Sequence, residues 1–288
     1  MLWRSLRESE YIKQMIMKKI LCPTDFSDAA HAAIAYAAKL AMVTGSELTL
    51  LHVQSLFDLT PVELVRGKAM MVAEVKDQLE AQSREVSKVF KISCHAEIKS
   101  SFSKLSNAIA SRGKDFDLIV MGSNGPDDLY QFFGGSNTYN AITKTQLPVM
   151  VIPAGYVYSE IKRMVYAFDY LKERSLPFGR MIPWIKALGC HLTILQVMEE
   201  AYSKEAEDDL KQLQFIIRNL YGDDLNFSYD TIRSSDVAQS INSYILRQRP
   251  DVLALCSVHR NFVERIFHKS VIKNISAICS YPVFVFHA

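Results

Sequence analysis

The chain predicts an α/β fold built as two successive doubly wound parallel sheets, and three observations carry that prediction. Short apolar runs alternate with helical stretches, as in a sheet whose parallel strands are joined by crossover helices. The alternation occurs twice, because the second half of the chain repeats the first. A glycine-rich loop, GSNGPDDLYQFFGGS from Gly122 to Ser136, follows directly on the apolar run Leu118, Ile119, Val120, Met121. Open parallel sheets hold their ligands at that end of the strands.

The first strand is predicted at Lys19 to Cys22 and ends in Pro23, Thr24 and Asp25. Ser27 then caps a helix over Asp28 to Val43, with Gly45 just beyond its end. A second strand follows at Leu48 to Val53. Thr60-Pro61-Val62-Glu63 is a capping box with proline at the first helical position, and it opens a long helix. On that helix Asp77, Glu80, Arg84, Glu85 and Lys88 form a solvated stripe, whereas Met70, Met71, Val75 and Leu79 read as core or interface. A short strand near His95 to Ile98, a strand at Leu118 to Met121, a helix over Thr138 to Lys144 and a closing strand at Val149 to Ile152 complete the first half.

The repeat is read by setting segments side by side. KKILCPTDF from Lys18 matches KRMVYAFDY from Lys162, and GSELTLLHV from Gly45 matches GCHLTILQV from Gly189, both at an offset of 144. FDLIVMGS from Phe116 matches PDVLALCS from Pro250, and LPVMVIPA from Leu147 matches YPVFVFHA from Tyr281, both at an offset of 134. Each copy is long enough to be a complete domain: 17–155 and 160–288, with the boundary in Gly155 to Glu160. Residues 1–16 have no counterpart in the second copy, which makes them an N-terminal extension unless translation begins at Met17.

Composition narrows the function classes. Apolar residues are 49% and charged residues 22% of 288, as in a globular protein. Thirty-three basic side chains against 31 acidic ones leave +2, with no electrostatic footprint for nucleic acid or an anionic membrane. Cys22, Cys94, Cys190, Cys256 and Cys279 are odd in number and contain no C-x-x-C pair, which fits reduced thiols and a cytoplasmic location, not zinc or a disulfide framework. No apolar run approaches the ~20 residues of a membrane span.

Glycine serves where a backbone turns at positive φ or must approach a ligand without a Cβ in the way, and Gly122, Gly125 and Gly135 fit both uses. Gly135-Ser136 opens a helix, whose N-terminus presents unpaired N–H groups to an anion. Asp25 is placed to accept from a ribose or adenine edge, and Val53 to offer backbone groups to an adenine. The bland alternative is a strand-to-loop turn whose glycines serve backbone geometry only. No nucleophile–base pair and no Walker lysine is visible, so catalytic residues are not assigned. His31 reads as solvent-facing and His52 as packing beside a ligand. Glu199 to Asp209 reads as the start of an exposed helix.

With KKILCPTDFSD, LTLLHV, DLIVMG, the Gly122–Ser136 spacing and LPVMVIP in view, the chain resembles a tandem universal stress protein over nearly all of residues 17–288. The resemblance implies the adenine nucleotide alpha hydrolase-like fold with strand order 3-2-1-4-5, the first and fourth strands being neighbours. It implies ATP across their carboxyl ends, with magnesium or manganese on the phosphates. The site it implies consists of Pro23, Thr24 and Asp25, Val53 at the adenine, and Met121, Gly122, Gly125, Gly135 and Ser136 around ribose and phosphates, with Asn137 beside them. Two departures stand in that loop: Asn137 where valine is usual, and Pro126-Asp127-Asp128, whose carboxylates repel a triphosphate unless a metal intervenes. The family's closing strands pair across a dimer, which implies an intramolecular pseudo-dimer here, with further self-association as a homodimer left open.

In the second copy Cys256, His259 and Lys269 stand at the three glycine positions, while Ser270, Asp169 and Val197 are retained. That half reads as a degenerate domain and structural partner. Cys256 with His259 as metal ligands, and Lys269 with Arg260 as a different anion site, are the alternatives. The expected function is an ATP-binding stress-response protein acting as a nucleotide-dependent regulatory or interaction module with unknown protein partners. A nucleotide-free scaffold and a slow ATPase compete with it.

Overall fold

The computed structural model describes residues 19–55, 68–101, 105–112, 115–123, 142, 144–168, 178–198, 215, 217–219, 222, 225–256 and 280–287. These fall into two compact units, one holding residues 17–158 and the other 159–288.

The first unit runs β1 (Lys19–Pro23), α1 (Asp28–Thr44), β2 (Glu47–Ser55), α2 (Lys68–Phe90), β3 (Cys94–Ser101), α3 (Leu105–Arg112), β4 (Leu118–Ser123) and β5 (Val149–Pro153). Its strands are parallel in the order β3-β2-β1-β4-β5. β1 from Ile20 and β4 as far as Gly122 are apolar because both faces are covered, with Ile20, Leu21, Cys22 and Leu118 to Val120 wholly buried. Ser27 caps α1 by accepting from the Ala30 N–H at 3.3 Å, and Gly45 ends it at φ 69. The helix runs one residue beyond the predicted Val43. β3 is one residue longer at its amino end and three at its carboxyl end than the sequence suggested, in a register shared with β2 from Leu48 to Ser55.

The second unit runs β6 (Arg163–Phe168), α4 (Phe178–Leu188), β7 (His191–Met198), β8 (Phe227–Arg233), α5 (Val237–Gln248), β9 (Val252–Cys256) and β10 (Val283–Phe286). Its order is β10-β9-β6-β7-β8. The registers repeat those of the first unit position for position. Lys19 pairs with Glu47 as Arg163 pairs with His191, and Gly122 pairs with Ile152 as Cys256 pairs with Phe286. An aspartate closes the amino end of each sheet in the same way. Asp117 accepts the Lys19 N–H at 3.0 Å and donates its own to the Lys19 carbonyl at 2.9 Å; Asp251 accepts the Arg163 N–H at 2.8 Å and donates to the Arg163 carbonyl at 2.9 Å.

The buried face of α1 carries Ala29, Ala30, Ala33, Ala37, Ala38 and Ala41, small enough to bring the helix backbone down onto the sheet. At the closest approach there is no room for a side chain. A Cβ on Gly122 would lie 2.3 Å from the Ala29 carbonyl oxygen. Gly122 is not among the positive-φ glycines, which corrects the expectation that it serves a turn, and its missing Cβ makes room for the first turn of α1.

The Thr60 capping box, the start of the Thr138 to Lys144 helix and the Glu199 to Asp209 stretch lie outside the described residues. On α2 the stripe is exposed as predicted at Asp77, Arg84, Glu85 and Lys88, with Glu80 joined to Lys76 and Arg84, and Leu79 is fully buried. His31 is exposed.

Candidate functional site

The carboxyl ends of β1, β2 and β4 bring together Pro23, Thr24, Asp25, Val53, Met121 and Gly122. Gly125, Gly135, Ser136 and Asn137 lie outside the described residues, as do Asp127 and Asp128.

The seam between β1 and β4 is short. β1 pairs with β2 at five positions, as far as Pro23 with Leu51, but with β4 only at Ile20–Leu118 and Leu21–Ile119. Thr24 donates its N–H to the Leu51 carbonyl at 2.9 Å, toward β2, so the amide of the preceding residue faces β4. That residue is Pro23, which has no N–H to give. The ladder therefore stops and β4 runs on past it through Met121 to Ser123. In the second unit the equivalent residue is Ala167, and the β6–β9 ladder continues through Met164–Val252, Val165–Leu253, Tyr166–Ala254 and Ala167–Leu255.

β2 also outruns β1. Leu51 takes the last bond, and Val53, two residues on, turns its N–H and carbonyl to the same side beyond the end of β1. Backbone donors and acceptors of this kind suit the edge of a heterocycle.

The turn after β1 is built on side chains. Asp25 Oδ1 accepts from the Ser27 N–H at 3.0 Å and from its hydroxyl at 2.6 Å, and Thr24 Oγ1 accepts from the Phe26 N–H at 3.1 Å. Burial pushes the Asp25 carboxyl up, but the Ser27 hydrogen bonds, a backbone bond of its own and the nearby His52 outweigh it, so it sits below the usual carboxylate range. Phe26 is held at φ 64, a left-handed conformation that non-glycine residues adopt only under constraint. His52 supplies part of that constraint. Its Nδ1 lies 2.9 Å from the Thr24 carbonyl oxygen, and its ring packs on Phe26 with centroids 5.1 Å apart. Sequence reasoning placed His52 beside a ligand but did not find this bond, because no residue pattern announces a side chain reaching across to a neighbouring strand's end.

In the second unit Cys256 is fully buried at the place of Gly122, and Gln196 stands where His52 does. His259, Arg260, Lys269 and Ser270 are outside the described residues, as is Asp169. Among the described residues no three His, Cys, Asp or Glu side chains gather into a metal site. Cys22, Cys94 and Cys190 are thiols outside any disulfide, and burial pushes Cys22 and Cys94 up and Cys190 to about 12. No helix among the described residues is long and apolar enough to cross a membrane. A cavity of about 580 Å³ lined by Lys19, Glu47, His95, Arg112 and Asp117 lies at the opposite, amino ends of the strands. Arg112 there is already engaged by Glu97 at 2.7 Å and Asp115 at 3.5 Å.

The comparisons with known proteins agree with this architecture. The family model described as the universal stress protein family matches residues 17–153. Universal stress protein MJ0577 of Methanocaldococcus jannaschii is 27% identical over 155 residues, which is 48% of this chain and 96% of that protein. A universal stress protein structure from Archaeoglobus fulgidus superposes with a TM-score of 0.71 at 17% identity, covering 93% of this chain and 96% of the other. A putative universal stress protein from Pseudomonas aeruginosa superposes at 0.54 with 13% identity, covering 94% and 93%. At those identities the two structures speak for the fold of the whole chain, and the sequence match for its first half. Residues 17–153 form a domain that matches the universal stress protein family.

Proposed function

We propose that the first unit binds ATP at the carboxyl ends of β1, β2 and β4, and that occupancy of this one site changes the contacts of a stress-response protein. The observation that carries the reading is the seam left unpaired at Pro23, with Val53 backbone groups on one side and the Met121–Gly122 segment leading into the Gly125–Ser136 loop on the other. Adenine would lie against Val53, the ribose near Asp25, and the phosphates against Gly125, Gly135, Ser136 and Asn137. Magnesium or manganese would accompany the phosphates of ATP.

The second unit would serve as a structural partner. Its β6–β9 ladder is closed by Ala167, and its glycine positions carry side chains. Reaction chemistry is not assigned to either unit; the described carboxylate of the site, Asp25, is committed to Ser27.

Mass spectrometry of small molecules released from gently purified protein tests the reading. Wild type should release an adenine nucleotide and Gly135→Val less than a tenth as much. A preparation saturable by no adenine nucleotide at millimolar concentration would favour the scaffold instead.

A further inference from the structure

We infer that His52 is a positioning residue which sets the Thr24–Asp25 turn for ligand, an inference that rests on the nucleotide reading above. The β1–β2 ladder ends at Pro23–Leu51, and the next residue, Thr24, is gripped on both sides of its backbone: its N–H goes to Leu51 and its carbonyl receives His52. A carbonyl oxygen only accepts, so the imidazole donates from Nδ1. The same ring packs on Phe26, whose positive φ turns the chain from the strand into α1. One side chain thus fixes the direction of the Thr24 carbonyl and the position of the residue following Asp25. It sits directly before Val53, so the two sides of the proposed adenine site are tied together at this residue.

The second unit shows what the position becomes without that task. Gln196 is 2% exposed, pairs in register with Phe168, and its Oε1 has no hydrogen-bond partner among the described residues. The strand there stays in the ladder one residue longer, through Phe168.

The two amide replacements separate positioning from packing. An asparagine side chain carries its N–H₂ near the place of Nδ1, within reach of the Thr24 carbonyl; a glutamine carries it near the place of Nε2 and cannot make the bond. With Mg-ATP as the probe, His52→Gln should bind at least tenfold more weakly than wild type, and His52→Asn should rescue affinity to within about threefold, while the thermal midpoints of the two variants stay alike. Equal affinities for the two variants, or a loss that follows the thermal midpoint, would overturn the inference. Nitrogen chemical shifts of unliganded wild type give a readout independent of ATP: His52 should be protonated at Nδ1, and a neutral ring protonated at Nε2 alone would also overturn it. Wild type that fails to bind ATP overturns the nucleotide reading and this inference together.

Discussion

Pro23 and Ala167 occupy the same place in the two copies, yet Ala167 pairs with Leu255 whereas Pro23 leaves its β4 neighbour unpaired. One absent N–H separates an unzipped switch point from a closed one. The sequence contains this difference, but it acquires meaning only once the parity of the strand is known. Had the amide of residue 23 faced β2, the same proline would have interrupted a different seam.

Exchanging the two residues should exchange the behaviours. Ala167→Pro removes a ladder bond and should cost on the order of 1–3 kcal/mol of stability, read by chemical denaturation, with faster amide exchange in β6 and β9. Pro23→Ala supplies the donor and should extend β1–β4 pairing by two positions, to the extent of the β6–β9 ladder, giving a newly protected amide at residue 23 and weaker ATP binding. An exchanging amide at residue 23 with unchanged affinity would show that the seam does not depend on the proline.

Gly122 should tolerate no side chain whether or not ATP is present. A Cβ there meets backbone atoms of Ala29, which cannot swing aside, so Gly122→Ala should destabilise the first unit by about 1–3 kcal/mol through overpacking. Denaturant unfolding checks this, and wild-type stability in the variant would count against the packing described for α1 and β4.

Ser27 both caps α1 and holds the Asp25 carboxylate. Ser27→Ala should cost about 1 kcal/mol and let the Asp25 pKa rise. Because that pKa is lowered in the folded protein, Asp25 contributes stability above its unfolded value that is lost as pH falls through the folded one. In the variant this acid-sensitive contribution should shrink, and carboxyl-detected NMR titration of Asp25 should show the upward shift. An unmoved titration would mean that Ser27 does not set it.

His287 supplies a second acid sensitivity, in the second unit. Burial, aided by the positive charge of Arg180, lowers its pKa from the ordinary 6.5 to about 4. The unfolded chain takes up this proton first as pH falls, so stability is full above pH 6.5 and declines between there and pH 4, by roughly 3 kcal/mol. Thermal midpoints of wild type and His287→Gln across that window should converge as pH falls. Parallel curves would contradict the assignment.

Much of this architecture was legible beforehand. Apolar runs gave the strands, Ser27 and Gly45 gave the bounds of α1, the offset of 144 reappears as matching registers at Lys19–Glu47 and Arg163–His191, and that of 134 at Gly122–Ile152 and Cys256–Phe286. The fine structure of the site was less so. The His52–Thr24 bond depends on a rotamer that no spacing encodes, and the reason for Gly122 is a helix packed against it from more than ninety positions earlier.

Equilibrium dialysis of the full chain against Mg-ATP tests the central claim most directly. One site per chain is expected, lost in Gly135→Val. Two sites per chain, or none at millimolar ATP, would contradict the account of one unzipped and one closed switch point.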